Sequence, residues 1–454
     1  MSPRNTQDDF EIVEALFSSE RSGGRTVDIS KIITDFEIYE HLDKPFLSAK
    51  FAVLDTTSFF EDIDFQGAES LSLTIQSSET KKEGSTITKI FVIDKIIKSE
   101  RADERTEVVY LHGYEDLVLR SSVKNVNKHY NGNPLDIISK MLKEYLDKGV
   151  LYTEDLQQSA MRLIVPNMHP IEAAVWIKNR LTNTDGMPYY LYSTLASDSL
   201  NLVDLGALLL REPVNTQLPF LYVQSSSQYL EERHIPIFSY RYENIHDVIS
   251  LIRKGYVGAQ YNFLNTLKGT NEVVPFDVSD DVFRTLSSKD YFKDQPRFIY
   301  APEQGIDGQP LSTYTSKVIT QIAAGGAYTY DNYGKNSLDE ETETAYYKKR
   351  VVGHALKNFM TKTPISIVVP GRPFMRGDGD YTTGNIVRVL FLESNHDNSS
   401  TPNIDSKKSG NYIMYAAKHS FSTQNPNRID STLLCAKLSS YNADLSAEEF
   451  INVS

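Results

Sequence analysis

The segment KKSGNYIMYAAKHSF, Lys407–Phe421, contains the pattern that decides the fold of this chain. A polar turn at residues 409–411 leads into a run in which every second residue from Ile413 onward lies on one side. Such alternation is typical of a strand with one buried face. The apolar segment STLLCAKLSS follows and contains the only cysteine, Cys435. We therefore predict a pair of neighbouring strands in which His419 and Cys435 are residues of a sheet.

A similar order of segments occurs near the start of the chain. There Gly67 precedes the strand-like SLSLTI, and KIFVIDKIIK, a polar turn and TEVVYLHGYED follow. Near the end, Gly384 precedes NIVRVLFL, and NYIMYAAKHSF, a polar turn and STLLCAKLSS follow. Internal similarity can mark a duplicated unit. Two related β domains are therefore one interpretation of this parallel, although few residues are identical.

Composition and periodicity divide the chain into regions. Residues 1–25 are polar and predict a flexible lead-in. Residues 26–120 predict an antiparallel β domain, because runs such as FLSAKFAVLD alternate with period two. Residues 223–445 predict a second β domain with a long insertion at about 265–345, where Gly, Asp and Ser are frequent and surface loops are expected. Residues 446–454 predict a C-terminal tail.

Residues 121–222 predict a small α+β module between the two β regions. Asn133 is a candidate N-cap and Pro134 fits the first position of a helix whose apolar residues repeat at helical spacing. HPIEAAVWIKNRL predicts a second helix, and PYYLYSTL with LNLVDL predicts a hairpin. The fold class predicted for the whole chain is a β-rich α+β fold.

The overall composition excludes several classes of protein. The chain has 454 residues and a net charge of −13, which disfavours tight binding to nucleic acid or to an anionic membrane. A single cysteine fits folding in a reducing cytoplasm. The polar start and the shortness of all apolar runs lead us to expect neither a Sec-type signal nor a membrane span.

Candidate chemical sites are few. His419 and Cys435 lie in strand-like surroundings without a third orienting group, so we interpret them as structural. The nine histidines are scattered, and neither HExxH nor a paired CxxC occurs. Asp378 and Asp380 resemble the start of a calcium loop that lacks its closing Glu, and a polar turn explains them better. The sequence therefore predicts no enzyme and no catalytic, cofactor-binding or metal-binding residues.

The ordered set of segments resembles the central baseplate hub protein of contractile-tailed bacteriophages, which is related to the hub half of type VI secretion spike proteins. The first part, ITDFEIYEHLDKPFLSAKFAVLDTTSFFEDIDFQGAESLSLTI, matches the opening of that family. NGNPLDIISKMLKEYL and HPIEAAVWIKNRL are similar to helices of its middle module. The matching motif positions, which the resemblance implies to be structural, are Asp55, Gly67, Glu69, Gly371, Gly384, Asn385, Gly410 and His419.

The resemblance implies two tube-like antiparallel β-barrels plus the small α+β module. It implies a homotrimer whose six barrels form a pseudo-sixfold ring that joins a sixfold tail tube to a threefold central spike. The implied partners are other copies of the chain, the spike protein and the tail tube protein or tube initiator, with tape measure and baseplate wedge proteins as further candidates. The implied location is the virion tail baseplate, assembled in the host cytoplasm. DNA passes through the ring without tight binding, and no cofactor is implied.

Two other functions remain open at this point. A tail-associated cell-wall hydrolase would need a carboxylate pair in a cleft. A carbohydrate-binding adhesin is favoured by the 27 tyrosines.

Overall fold

The structure is a computed structural model of the chain. It describes residues 8–20, 24–56, 59–63, 65–78, 86–101, 106–152, 161–222, 234–243, 247–265, 269–284, 305–324, 328–330, 343–362, 364–375, 379–392, 404–405, 408–424 and 426–437.

Strands dominate the described residues, which confirms the predicted β-rich α+β class. The strands are β1 Phe10–Ser19, β2 Arg25–Asp28, β3 Ile33–His41, β4 Ser48–Asp55, β5 Glu69–Ser77, β6 Thr86–Arg101, β7 Glu107–Glu115, β8 His129–Gly132, β9 Val150–Tyr152, β10 Met161–Ile164, β11 Tyr189–Tyr192, β12 Leu200–Asp204, β13 Phe220–Tyr222, β14 Ile235–Pro236, β15 Ser239–Tyr242, β16 Gly258–Asn265, β17 Thr270–Asp277, β18 Gly305–Ile306, β19 Gln309–Pro310, β20 Val318–Ala324, β21 Tyr328–Tyr330, β22 Ile365–Pro370, β23 Ile386–Phe391, β24 Gly410–Ser422 and β25 Arg428–Ala436.

The described helices are short, apart from three. They are α1 Phe59–Asp62, α2 Leu117–Ser122, α3 Pro134–Leu146, α4 Pro170–Lys178, α5 Leu205–Leu209, α6 Val248–Lys254 and α7 Glu343–Met360, with a π-helix at Ser279–Arg284 and 3₁₀ turns at Leu311–Thr313 and Arg372–Met375. Within the described ranges, no helix has the length and apolar character needed to cross a membrane.

One strand arrangement occurs twice. In the first repeat, β3 to β7, the spatial order is β3-β4-β7-β6-β5, and every neighbouring pair is antiparallel. In the second repeat, β15 and β22 to β25, the order is β15-β22-β25-β24-β23, again antiparallel throughout. A short helix or 3₁₀ turn follows the second strand of each repeat. The two repeats agree in chain order and in strand pairing at every step. The two β regions therefore have the same strand connectivity, which supports the interpretation that they are related.

The two repeats share one sheet. β24 of the second repeat pairs with β3 of the first repeat, in addition to its own neighbours. The result is a branched sheet of 14 strands. Among the described strands no ladder closes into a barrel, so the two repeats appear as sections of one continuous sheet, and the two predicted barrels stay a prediction.

Each repeat contributes its own core. Strict alternation in β4 and β5 buries one side of each strand, including Phe51 and Leu73. The second repeat buries Ile367, Val389 and Leu433 in a separate cluster. The opposite face carries polar residues such as Lys50 and Lys418, as expected for antiparallel strands with one covered side. Near Ile386, Ile413 and Ala436 this face packs instead against the middle module and α7.

The N-terminal lead-in is a correction to the prediction. Residues 10–19 form β1, which pairs antiparallel with β5, and Phe10 and Phe17 are buried in the first core. The segment looked like a lead-in because Glu11 and Glu14 interrupt its apolar pattern. These acids lie on the exposed side or beside a bulge in the ladder between Ile12 and Glu14, so the strand survives them.

The insertion at about 265–345 is also more ordered than predicted. β16 pairs with β17 and, in parallel, with β20. Phe283 of the π-helix packs edge-on against Phe359 of α7, with ring centroids 5.3 Å apart. The expectation of surface loops is therefore wrong for residues 270–284 and 318–324. This insertion lies between the first and second strands of the second repeat.

The middle module begins as predicted. The Asn133 side chain accepts a hydrogen bond from the Leu135 N–H at 2.9 Å, and Pro134 opens α3. Helix α3 ends at Leu146, and the residue that caps it, Asp147, adopts a left-handed conformation (φ 53°). Helices α3 and α4 pack over the hairpin β11–β12. The boundaries drawn at residues 120 and 222 stay predictions.

Candidate functional site

The junction between the repeats is the place where the chain joins two equivalent units. β24 and β3 pair antiparallel, with Phe421 opposite Phe36 and His419 opposite Ile38. On the core side, the rings of Phe421 and Phe36 stack at 4.2 Å. On the other side, Lys418 Nζ donates to Glu37 Oε1 at 3.1 Å. The junction therefore combines main-chain pairing, an aromatic contact and a cross-strand ion pair.

A buried polar network lies directly beside this junction. Glu40 Oε1 accepts from the Leu195 N–H at 2.5 Å, and Oε2 accepts from the N–H and hydroxyl of Thr383 at 3.1 and 2.8 Å. His419 Nδ1 lies 2.8 Å from Ser431 Oγ, and its Nε2 lies 3.9 Å from Glu40 Oε1. Glu40 thus connects the first repeat, the middle module and the second repeat.

His419 is a structural residue at this place. Its side chain is 1% exposed, and burial lowers the pKa of its imidazole although the Glu40 carboxylate opposes the shift. Cys435 lies four residues from Ser431 along β25, opposite Met414, and burial raises the pKa of its thiol. A neutral histidine and a protonated thiol at separate places in the sheet are not a nucleophile and its base.

Glu40 escaped the sequence prediction, although a signal was present. Phe36, Ile38 and Glu40 occupy successive positions on the buried side of β3. A carboxylate in the apolar register of a strand must be hydrogen-bonded, because an unpaired buried charge is very costly. Glu115 is a second such residue. Its Oε2 accepts from the Leu47 N–H and the Ser193 hydroxyl, and its Oε1 accepts from Lys148 Nζ at 2.7 Å.

The motif positions of the first repeat shape one turn. Asp55 accepts hydrogen bonds from the N–H groups of Phe59 and Phe60 at 3.0 and 3.1 Å, and so caps α1. Gly67 has φ of 88°, and a Cβ there would lie 3.0 Å from the Asp94 carbonyl oxygen. These contacts fix the path from β4 through α1 to β5.

Three motif positions of the second repeat fix the turn before β23. Gly384 has φ of 92°, and a Cβ there would lie 2.5 Å from Tyr192 Oη of the middle module. Asn385 Nδ2 donates to the Gly379 carbonyl at 2.9 Å, and Asn385 Oδ1 accepts from Arg211 at 2.6 Å. Gly371, which directly follows β22, is confined by Ile429.

Gly371 and Gly410 complete the set of motif positions. A Cβ on Gly371 would approach Ile429 Cγ1 to 2.3 Å, so only glycine fits there without movement. Gly410 opens β24 opposite Val389 with φ of 142°. Gly371, Gly410 and His419 lie at separate places in the second repeat. Gly371 follows β22, Gly410 begins β24, and His419 lies where β24 pairs with β25 and β3.

The two repeats match residue by residue at this turn. The Ala68 N–H donates to the Ile93 carbonyl at 2.8 Å, and the Gly384 N–H donates to the Met414 carbonyl at 2.8 Å. Ala68 also has a positive φ, 73°. The residue equivalent to Gly384 is therefore Ala68, one position after Gly67, and Glu69 is equivalent to Asn385.

The acidic turn at Asp378 and Asp380 is described only in part. Asp380 contributes its backbone carbonyl to Asn385 Nδ2 at 2.7 Å, whereas Asp378 lies outside the described residues. No group of three potential metal ligands occurs among the described residues.

A charged cluster links the turn after β3 to two helices. Asp43 Oδ1 accepts from Lys178 Nζ of α4 at 2.5 Å, and both Asp43 oxygens lie 3.4 Å from Lys357 Nζ of α7. Burial lowers the pKa of Lys357 to about 8, although Asp43 opposes the shift. The lysines hold the pKa of Asp43 below its usual value. The cluster ties α4 of the middle module and α7 to the turn after β3.

Comparison with known proteins supports the fold. No family model matches the chain, and no curated protein matches it. The tail protein from Neisseria meningitidis MC58 superposes with a TM-score of 0.52 over 94% of this chain and 97% of that chain, at 12% identity. The 43 kDa tail protein of prophage MuSo2 from Shewanella oneidensis gives 0.51 over 94% and 98%, at 9% identity. The chain therefore has the fold of these tail proteins.

Proposed function

We propose that this protein is a structural baseplate hub of a phage contractile tail. In this role three copies form a ring. Each copy contributes two repeats, so the ring contains six similar β units. The ring joins a sixfold tail tube to a threefold central spike.

The observation that supports this proposal best is the repeated strand order and its internal junction. β3-β4-β7-β6-β5 and β15-β22-β25-β24-β23 are the same arrangement, and β24 pairs with β3 across the boundary. A chain built this way presents two similar units side by side in one sheet. Three such chains around a threefold axis have six similar units, which satisfies both symmetries.

The partners follow from this role. The ring contacts further copies of the chain, the central spike on one face and the tail tube protein or tube initiator on the other. Tape measure and baseplate wedge proteins are further candidates. The location is the tail baseplate of the virion, and assembly takes place in the host cytoplasm.

The contacts of the motif residues support a structural role over an enzymatic one. Asp55 caps a helix, Glu40 satisfies main-chain donors, and His419 is buried and hydrogen-bonded to Ser431. Each group is used by the fold. No described arrangement favours the hydrolase or the adhesin.

The polar face of the sheet fits a channel through which DNA moves. Its charges occur in neighbouring pairs of opposite sign, such as Glu37 with Lys418 at 3.1 Å and Glu100 with Lys98 at 2.6 Å. Paired charges present little uncompensated positive charge, and phosphate binding depends on such charge. DNA then passes without being held.

The experiment is a measurement of particle mass in solution for the purified chain, alone and with the spike protein of the same phage. We expect a trimer in at least one of the two samples. A monomer or a dimer in both samples contradicts the hub.

A further inference from the structure

Several strand edges are open among the described strands, and two of them belong to the repeats. The distal half of β6, residues 95–101, pairs with β7 on one edge only, because β5 ends its pairing opposite Ile93. β15, residues 239–242, pairs with β22 on one edge only. Open edges are sites for pairing with another chain.

These two edges are the equivalents, in the other repeat, of the two edges that meet at the internal junction. β6 occupies in the first repeat the place that β24 occupies in the second, and β15 occupies the place of β3. β24 and β3 are paired with each other, whereas β6 and β15 are not. The chain therefore has one junction made and both halves of a second junction open, at opposite ends of the repeated sheet.

We propose that β6 of one copy pairs antiparallel with β15 of a second copy in a single register, which repeats the internal β24–β3 junction. This inference rests on the proposed hub and specifies how its copies join. A contact between two different edges of the same chain is heterologous, and such contacts build closed rings when the rotation fits.

The register follows from the alignment of the repeats. Both β6 and β24 contain a bulge at the equivalent residue, Asp94 and Tyr415. At this bulge, one row of paired residues crosses the first repeat from β3 to β6: Ile38, Ala49, Gly113 and Ile93. The equivalent row crosses the second repeat from β15 to β24, and its residues correspond in the same order: Tyr242, Ile365, Cys435 and Met414.

Beyond this row β6 has a second bulge, at Ile97, that β24 lacks, so equivalent positions are counted along the partner strands β7 and β25. Ser99 pairs with Val109, and His419 pairs with Ser431, at equivalent positions of the two repeats. Since His419 lies opposite Ile38, the repeat puts Ser99 opposite Tyr242 of the second copy. The neighbouring opposed pairs are then Lys98 with Glu243, Glu100 with Arg241, and Arg101 with Tyr240.

The charges agree with this register. Lys98 meets an acid and Glu100 meets a base, so two directly opposed ion pairs form. Opposite charges facing each other across strands stabilise a sheet, and like charges destabilise it. In the isolated chain the same residues satisfy one another within each strand, Lys98 with Glu100 at 2.6 Å and Arg241 with Glu243 at 2.5 Å. Assembly therefore exchanges ion pairs within strands for ion pairs between copies.

The internal junction also has a cross-strand ion pair, although it runs diagonally, since Lys418 lies opposite Tyr39 and Glu37 lies opposite Ser420. Lys418, the equivalent of Lys98, reaches across to Glu37 at 3.1 Å. Both open edges also expose apolar side chains, including Ile97 at 45% and Phe238 at 56%. Pairing of the two edges buries such side chains, and this burial of apolar surface favours the contact between copies.

A charge-swap cycle tests the register. The first variant, Lys98→Glu with Glu100→Lys, keeps the net charge and an ion pair within β6, but puts like charges opposite Glu243 and Arg241. The second, Arg241→Glu with Glu243→Arg, does the same from β15. We expect each swap alone to raise the concentration for half-dissociation of the trimer about tenfold or more. The combination of both swaps restores opposite charges and should restore wild-type assembly.

Cysteine pairs give a geometric readout. In an antiparallel ladder, opposed Cα atoms lie about 4.5–5.5 Å apart, which suits a disulfide. We expect Ser99→Cys with Tyr242→Cys to form a covalent trimer on oxidation and nothing larger. The control, Ser99→Cys with Ser239→Cys, is displaced by three residues, roughly 10 Å, and should stay unlinked. Six strands separate β6 from β15 within one copy, so any link joins two copies.

The outcomes separate the two proposals. A wild-type trimer whose Ser99 and Tyr242 cysteines do not link, or whose swaps have no effect or are not restored in combination, overturns the junction and leaves the hub. A wild-type chain that stays monomeric alone and with the spike, with unlinked cysteines, overturns both. A link at the control pair in place of the predicted pair overturns the register.

Discussion

Phe421 and Phe36 lie directly opposite each other across the junction of the repeats, with parallel rings 4.2 Å apart and an interplanar angle of 8°. Phe10 of β1 closes the cluster edge-on, 5.1 Å from Phe421. One residue from near each end of the chain and one from the third strand thus meet in a single core. The two repeats are joined by buried contacts as well as by main-chain pairing.

Truncating this cluster should destabilise the whole sheet. We expect Phe421→Ala to lower the free energy of unfolding by about 3–5 kcal/mol, because it removes a buried ring from a packed core. Denaturant unfolding measures the loss. Ser422→Ala, the next residue on the other side of the strand, is the control, with a change within about 0.5 kcal/mol. Equal effects of the two substitutions would contradict a shared core at the junction.

Gly384 and Gly379 form a matched pair for testing the motif turn. Both have a positive φ, 92° and 81°, so an alanine is strained at either place. Only at Gly384 does the new Cβ meet another group, Tyr192 Oη at 2.5 Å, whereas nothing lies within 4 Å at Gly379. We expect Gly379→Ala to cost about 1–2 kcal/mol and Gly384→Ala clearly more. Thermal or denaturant unfolding of both variants decides the comparison.

Cys435 should behave as a buried apolar residue. Its side chain is completely buried and the pKa of its thiol is raised, so alkylation of the native protein at neutral pH should be slow and should become fast on unfolding. Cys435→Ser should cost about 1–3 kcal/mol, because it buries an unneeded hydroxyl. Rapid modification of the native thiol would show that the strand is less well covered than described.

Two half-buried histidines predict a loss of stability in acid. Burial lowers the pKa of both His41 and His354 from 6.5 to about 4, with further lowering from nearby lysines and opposition from Asp43. Between pH 6.5 and 4 the unfolded chain therefore binds more protons than the native chain, so the free energy of unfolding falls as pH falls. Each histidine contributes at most about 1.4 kcal/mol per pH unit.

Unfolding titrations of two variants test this slope. We expect His354→Gln to show a shallower fall than the wild type over the same pH range. The matching substitution of the exposed His129 serves as control. An unchanged slope in His354→Gln would mean that the side chain at position 354 is open to water.

Alternation made much of the fold predictable. The strands β4 and β5 read clearly because each buries one side against a single core. In β24 the alternation predicted from Ile413 is broken by a bulge at Tyr415, so Ile413 and Phe421 are buried in different clusters. The helix α3 was predictable from its cap, since Asn133 and Pro134 act locally. β1 was not, because its burial depends on pairing with β5, a partner about sixty residues away that the local pattern does not encode.

The candidate site was less predictable than the fold. The motif residues Gly384 and His419 were found by resemblance, and their reasons, the contacts with Tyr192 and Ser431, are tertiary. The open edges of β6 and β15 could not be recognised at all. A strand looks alike in sequence whether its second edge is paired within the chain, as in β24, or left for another copy.

The channel proposal predicts weak contact with DNA. At about 150 mM salt, exposed charges more than roughly 8 Å apart are largely screened, so only a concentrated basic surface would bind duplex strongly. We expect no binding of double-stranded DNA by the isolated trimer at micromolar concentration. Tight binding that weakens steeply with added salt would reveal a basic lumen and contradict an inert conduit.

Electron microscopy of the assembled particle tests the central claim most directly. Averaged end-on views should show a closed ring with three copies, six similar lobes and a central channel, because each copy contributes two repeats. Rings with twofold symmetry, open chains of copies, or particles with one lobe per copy would contradict the account of a duplicated unit that adapts sixfold to threefold symmetry.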